Sequence, residues 1–326
     1  MPNLILNSVL SLSGMGLLFG AGLAYASKKF AVEIDPREEA IMGVLPGANC
    51  GGCGFPGCGG LASAIVKGEA EVNACPVGGA SVAAQIGEIM GVSSEGAVRK
   101  VAHIICNVTC SNAKEKSLYE GIEDCKAAVL VSGGSKSCGF GCLGLGSCVR
   151  ACPFDAMYIG KDGIAHVDNE KCVACGKCIA ACPKTVIEMV PYSQEVIINC
   201  NSKEKGKEVK DKCAVGCIGC QMCVKACPFD DITFENNLAK IDYSKCKQCM
   251  ACVAKCPTKA ISGDLAKRKK AYIDEEKCVG CTICAKKCPV QAIEGELKGK
   301  HKVDLDKCIG CGVCEEKCPK KAIEMK

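Results

Sequence analysis

The sequence predicts an α+β protein with one N-terminal membrane-spanning helix, a small four-cysteine domain, and three tandem cysteine-rich domains of short helices and hairpins. Three observations predict it. Residues 4–26 carry no charge over 23 positions. Residues 48–60 read ANCGGCGFPGCGG, with Cys50, Cys53 and Cys58 among six glycines and one proline. Between Cys142 and Cys318 a cysteine run of near-constant spacing occurs six times.

The composition says what binds those thiols. The chain has 326 residues, 33 of them cysteine, no tryptophan and only 4% aromatics, so a core of large apolar side chains is thin. Cysteines at this density mean disulfides or metal. Disulfide scaffolds are usually short and secreted, whereas these thiols repeat in tight runs that point towards one centre. Zinc sites pair two short hooks and often recruit histidine. Only His103, His166 and His301 are present, none inside a cysteine run, and they read as surface or packing residues. Iron–sulfur clusters therefore fit best. The aromatic residues Phe140, Phe154, Phe229, Tyr192 and Tyr243 read as packing near cluster loops. No dinucleotide fingerprint or P-loop follows an expected strand, so nucleotide chemistry belongs elsewhere.

The uncharged span is long enough to cross a bilayer. A signal peptide is the rival, with Ala24-Tyr25-Ala26 resembling a cleavage site. No Lys or Arg precedes the span, however, and Lys28 and Lys29 follow it. That flank places the rest of the chain on the cytoplasmic side of the cell (inner) membrane, where thiols stay reduced. Residues 1–29 are thus read as an uncleaved single-pass anchor. Gly14, Gly16, Gly20 and Gly22 let another membrane helix approach closely.

The second domain spans 30–97. Residues 30–47 read as an amphipathic connector, and 79–97 as a helix and a polar link. The glycine-rich stretch suits neither helix nor strand. Cys50, Cys53 and Cys58 are joined downstream by Cys75-Pro76, four thiols that suffice for one cluster. Glycines let backbone N–H groups approach cluster sulfurs. Residues 98–137 read as a linker with extra cysteines, in which 101–106 and 127–131 are expected to be buried strands.

Five runs fit C-x2-C-x2-C-x3-C-P and begin at Cys172, Cys217, Cys246, Cys278 and Cys308. The sixth, Cys142-x5-Cys148-x3-Cys152-Pro153, has Leu145 where the others have their second cysteine. Short apolar segments follow most CP pairs, and a β-like segment ending in Asp-x-x-Lys-Cys precedes four runs. Turn residues such as Asp162-Gly163 and Asn236-Asn237 lie between. The unit is a cluster loop, a short helix, and a hairpin into the next loop.

Residues 138–326 resemble the bacterial two-cluster ferredoxin, which implies three ferredoxin-like domains at 138–198, 199–264 and 265–326. In that family the fourth cysteine of each run serves the other cluster of its pair. Carried over, Cys172, Cys175 and Cys178 share a cluster with Cys152. The second pair uses Cys217, Cys220 and Cys223 with Cys256, and Cys246, Cys249 and Cys252 with Cys227. The third uses Cys278, Cys281 and Cys284 with Cys318, and Cys308, Cys311 and Cys314 with Cys288. The remaining cluster of the first pair has Cys142, Cys148 and Cys182.

Residues 45–60, LPGANCGGCGFPGCGG, resemble the four-cysteine domain of Rnf-complex B subunits, and the order of helix, domain and ferredoxin repeats matches too. The chain departs from the shortest members in having three ferredoxin pairs, as clostridial-type members do. The resemblance implies an electron-transfer subunit of a membrane ferredoxin:NAD oxidoreductase that exports Na⁺ or H⁺. Its implied partners are reduced ferredoxin and the other membrane and peripheral subunits. A soluble polyferredoxin, or an iron–sulfur subunit of a hydrogenase or dehydrogenase, would share the repeats but not the anchor together with residues 45–60.

Two expectations remain. Cys125-x12-Cys138-x3-Cys142 mirrors Cys200-x12-Cys213-x3-Cys217, which nominates Cys138 for the thiol that Leu145 removes, against a three-iron cluster on Cys142, Cys148 and Cys182 alone. Cys106, Cys110, Cys125, Cys200 and Cys213 are then left over, either for an eighth cluster or as buried thiols. Residues 267–326 hold 15 Lys/Arg against 10 Asp/Glu, which matches the whole net charge of +5. This end, with Lys267, Arg268, Lys269 and Lys270, is expected to dock an acidic protein. Acids interleave with the basic residues and no nucleic-acid motif is present, so nucleic acid is not expected as a partner.

Overall fold

The structure, a computed structural model, describes residues 2–30, 35–93, 98–109 and 111–326. It divides into two units, Met1–Gly96 and Ala97–Lys326.

In the first unit, α1 (Pro2–Lys29) is a 28-residue helix whose basic residues, Lys28 and Lys29, lie in its last turn. At 1.5 Å per residue it is about 42 Å long, more than the ~30 Å hydrocarbon core of a bilayer. Leu12, Leu17, Leu18, Phe19 and Leu23 are all exposed on it. Among the described residues it is the one helix long and apolar enough to cross a membrane.

Helix α2 (Pro36–Val44) starts where Asp35 accepts the N–H of Arg37 at 2.9 Å and Pro36 fills the first helical position. Its Ile41, with Leu45, is buried against Leu61 and Ile65 of α3 (Gly57–Val66) and Ile86 of α4 (Gly79–Met90). The segment read as a connector thus supplies one wall of the four-cysteine body. The glycine-rich stretch is also not all loop, because residues 57–60 form the first turn of α3. The apolar sequence LASAIV that follows carries the helix by burial, and a helix start tolerates the poor formers.

The second unit contains three bodies of one plan. Two cysteine runs each lead into a short helix, a hairpin joins the runs, and the strand before the first run meets the strand after the second. In the first body β1 (Lys100–Ile104) lies outside the runs. An insertion of residues 105–141 follows it and carries α5 (Cys125–Leu130). The runs lead into α6 (Ser147–Arg150) and α7 (Lys177–Ala181), with the hairpin β2 (Met157–Ile159) and β3 (Ala165–Val167) between them. β4 (Ile187–Pro191) closes the body, with Lys100 opposite Pro191 and Ile104 opposite Ile187. Residues 100–104, expected within a linker, are therefore an edge of the first body.

Residues 127–131 are not a strand. Asp124 caps α5 by accepting the N–H groups of Lys126 and Ala127, and Leu130 is 88% exposed. The apolar residues close a short helix instead of lying in a sheet.

The second body has its own insertion with α8 (Gly206–Lys212), then α9 (Met222–Ala226), β5 (Ile232–Glu235), β6 (Leu238–Ile241) and α10 (Ala251–Lys255). Asn236 and Asn237, both at positive φ, form the tight turn of its hairpin. Its outer ladder is reduced to a bridge between Ile198 and Ile261. The third body has β7 (Ala271–Ile273) paired with β10 (Ile323–Met325). Between them come α11 (Ile283–Lys287), the β8 (Ile293–Glu294) and β9 (Lys302–Val303) hairpin, and α12 (Val313–Glu316). The two insertions pair with each other: Ala113 bridges Cys213, and the N–H of Lys114 donates to the Lys212 carbonyl at 3.0 Å.

Candidate metal centres

Every run adopts one backbone pattern. The residues on either side of the second cysteine are left-handed: Ala174 and Gly176, Gly219 and Gln221, Gln248 and Met250, Gly280 and Thr282, Gly310 and Gly312. Alternating right- and left-handed residues aim successive N–H groups into one concavity, a nest suited to an anion. The third cysteine then enters the first turn of the short helix. Gly144 and Gly146 hold the same conformation around Leu145, at φ 76° and 74°. The broken run has therefore kept the loop and lost only the thiol.

The thiols surround clefts rather than converge on a point. Cys217, Cys220, Cys223 and Cys256 line one cleft. Cys227, Cys246, Cys249 and Cys252 line another. Cys288, Cys308, Cys311 and Cys314 line a third. In each, three thiols of one run meet the fourth thiol of the other run of its body. The same crossing brings Cys152 beside Cys172, Cys175 and Cys178. Cys278 and Cys281 neighbour Cys284, while Cys318 packs on the same apolar core. In the first unit Cys53 and Cys58 neighbour Cys75, and the N–H of Gly52 donates to Cys50 Sγ at 3.5 Å.

These thiols are hard to ionise alone. Burial, and then the neighbouring Cys142, Cys125 and Cys182, pushes the Cys148 thiol up to about 12. Burial, and then Cys249, Cys246 and Cys223, does the same to Cys252. Four thiolates share such a cleft only around a cationic core that offsets their repulsion. Among the described residues, no group of three or more His, Cys, Asp or Glu is placed to hold a single metal ion. All-thiol sets of four spread around a cleft fit a four-iron, four-sulfur core. The N–H of Ala292 on Cys288 Sγ (3.2 Å) and of Ala322 on Cys318 Sγ (3.3 Å) add the donors that stabilise negative charge there.

The first body departs from expectation. The cleft with Cys142, Cys148 and Cys182 takes its fourth thiol from Cys125, not Cys138. The cause is a network at the start of α5. The N–H of Cys125 donates to Ser147 Oγ at 2.7 Å, Ser147 Oγ donates to Asp124 at 2.8 Å, and Arg150 reaches the same carboxylate at 3.0 Å. Asp124 is held well below the ordinary carboxylate range, to about 2, by the backbone N–H of Ala127 first and then by Ser147. Cys138 instead lines a separate cleft with Cys106, Cys200 and Cys213. Cys110 lies outside the described residues. Cys125 carried no run signature because 16 residues, the rest of α5 among them, separate it from Cys142.

The histidines have other partners. His103 Nε2 is 2.8 Å from Asn199 Oδ1, and His166 Nε2 is 2.9 Å from the Asp162 carboxylate. His301 is buried, with Nδ1 4.0 Å from Cys278 Sγ. Phe140 and Phe229 line two of the clefts. Of the four basic residues singled out, Lys267 and Lys269 are exposed. Arg268 Nε donates to the Cys249 carbonyl at 3.1 Å, and Lys270 Nζ to the Cys308 carbonyl at 2.9 Å, so these two hold the cluster loops.

Comparison with known proteins finds iron–sulfur families along the chain. A family model described as a putative Fe-S cluster matches residues 45–77. Models described as 4Fe-4S dicluster domains match 137–186, 171–231, 207–257, 245–292 and 271–325. The chain is 55% identical over 265 residues to the B subunit of the Na(+)-translocating ferredoxin:NAD(+) oxidoreductase complex of Acetobacterium woodii, covering 81% of this chain and 80% of that protein. It is 45% identical over 264 residues to the B subunit of an ion-translocating oxidoreductase complex of Methanosarcina acetivorans, covering 80% and 99%. The B subunit of the proton-translocating ferredoxin:NAD(+) oxidoreductase complex of Clostridium ljungdahlii is 45% identical over 262 residues, covering 79% and 92%.

Proposed function

Since the chain belongs to the B subunits of ion-translocating ferredoxin:NAD⁺ oxidoreductase (Rnf) complexes, we propose that it takes electrons from reduced ferredoxin and relays them to the membrane subunits. What carries this reading is the grouping of thiols in fours around repeated clefts, behind a helix able to span a bilayer. Bound [4Fe–4S] clusters supply one-electron redox chemistry at those sites.

In this reading seven clusters are held. Cys50, Cys53, Cys58 and Cys75 hold one. Cys125, Cys142, Cys148 and Cys182 hold the next, and the five intact runs hold the rest with the crossed ligands given above. The polypeptide buries the third cysteine of each run, since Cys148, Cys178, Cys252, Cys284 and Cys314 are all buried. It offers backbone N–H groups to the sulfurs and keeps neighbouring sets adjacent. Cys178 of one set lies near Cys148 of the next, Cys223 near Cys252, and Cys249 near Cys311.

The anchor is α1, with the thiol-bearing bodies on the cytoplasmic side, as Lys28 and Lys29 at its end favour. The third body is the ferredoxin-docking end, presenting Lys267 and Lys269. The exported ion is Na⁺ or H⁺, and the relatives include complexes named for each.

The test is oxidation of reduced ferredoxin by membranes containing the whole complex. Membranes lacking this chain should lose ferredoxin-dependent NAD⁺ reduction and regain it when the chain is restored. Full activity without the chain contradicts the proposal.

A further inference from the structure

The cleft lined by Cys106, Cys138, Cys200 and Cys213 belongs to none of the seven sets. Four thiols line it, as four thiols line each cleft of the intact runs. Cys106 is 6% exposed, Cys213 7% and Cys138 8%. Burial raises the Cys106 thiol to about 11 and the Cys200 thiol to about 12, with Cys106 among the charges felt by Cys200 and Cys138 among those felt by Cys213.

The origin of these thiols is a repeat. In the first body the chain runs from β1 through Ile104-Ile105 to Cys106, and returns at Cys138-x3-Cys142. In the second it runs from the edge residue Ile198 through Asn199 to Cys200, and returns at Cys213-x3-Cys217. Each body therefore contributes two thiols, one just after its first edge strand and one four residues before its first run. The bridge between Ala113 and Cys213 and the bond between Lys114 and Lys212 hold the two insertions together.

The cleft also offers donors of the kind seen at the other sets. The N–H of Cys142 donates to Cys106 Sγ at 3.4 Å, and the N–H of Cys217 faces the Cys200 thiol. Cys142 and Cys217 open the runs of two other sets, so the cleft sits between them. Lys136, 5% exposed, binds the Cys142 carbonyl through Nζ at 2.8 Å and is the cation felt by Cys106, Cys142 and Cys213. A buried cation here offsets the negative charge of a reduced all-thiolate cluster.

We infer that Cys106, Cys138, Cys200 and Cys213 hold an eighth [4Fe–4S] cluster, which joins the first ferredoxin-like body to the second. The inference rests on the cluster-relay reading and deepens it. A cluster held there would carry one electron at a time between the sets of Cys217 and Cys142, with no bond made or broken and with reduced ferredoxin as the electron source.

The whole complex, purified without oxygen, decides the matter. At four irons per cubane, eight clusters require about 32 irons in this chain and seven require about 28. Cys200→Ala with Cys213→Ala should lower the count by about four and remove one cluster from the reduced-state paramagnetic spectrum. Cys110→Ala should leave both unchanged. An iron-edge anomalous map of the wild-type complex should show a peak between the four thiols, which keeps the inference testable if the double variant fails to fold. About 28 irons, unchanged in the double variant, or no iron peak in this cleft, overturns the eighth site alone. A chain without iron overturns the relay reading itself.

Discussion

The backbone N–H of Cys125 donates to Ser147 Oγ at 2.7 Å, tying the start of α5 to the start of α6. That bond brings a thiol from outside the cysteine runs to the cleft where Leu145 has replaced one inside them. Cys125→Ala should therefore strip the cluster of Cys142, Cys148 and Cys182, or convert it to a three-iron form, with a loss of one to about four irons per chain. Adding Leu145→Cys to that variant should restore it, because Gly144 and Gly146 already hold the left-handed conformations of an intact run. Iron analysis with paramagnetic resonance reads both. A Cys125→Ala chain with full iron and an unchanged spectrum contradicts the assignment.

Asp124 is a positioning residue for the same site. Its carboxylate accepts from Lys126, Ala127, Ser147 and Arg150. Asp124→Ala should speed the loss of this one cluster in air, while Asp124→Asn, still able to cap α5, should lose it more slowly. The cluster-specific paramagnetic signal followed over time separates this from a general loss of stability, in which all signals decay together.

Ile41 is fully buried in the four-cysteine body, so Ile41→Ala should cost about 2–5 kcal/mol of its stability. A thermal or denaturant melt of the first unit's cluster absorption is the check. No change would mean that α2 is indeed only a connector.

Lys267→Glu with Lys269→Glu should slow ferredoxin oxidation several-fold at low salt, and less at high salt, where charges are screened. Lys267 and Lys269 face solvent, whereas Arg268 and Lys270 hold the carbonyls of Cys249 and Cys308. Stopped-flow oxidation of reduced ferredoxin at two ionic strengths gives the answer. Equal rates for variant and wild type at low salt would move the docking surface elsewhere.

The mature chain should retain residues 4–26. Intact mass of the membrane-extracted protein is the measurement, and a chain beginning near Ser27 would restore the signal-peptide reading.

Much of this was legible in the sequence where the chemistry is local. The intact runs announce their loops by spacing, and Cys50, Cys53, Cys58 and Cys75 lie close together along the chain. What sequence reading missed is non-local. It aligned Cys125 with Cys200, because both precede a C-x3-C pair by the same interval. The structure aligns Cys106 with Cys200, each following the edge strand of its body, and sends Cys125 elsewhere through Asp124 and Ser147. The segment at 127–131 read as a strand from its apolar side chains, but nothing in that string shows that Asp124 caps a helix there. The four-thiol cleft needs two insertions to meet, and no single window of sequence contains both.

Metal analysis of the full chain in its complex tests the central claim most directly. The account predicts iron and acid-labile sulfide in equal amounts, at least about 28 of each per chain. Zinc in their place, or iron without sulfide, would contradict it.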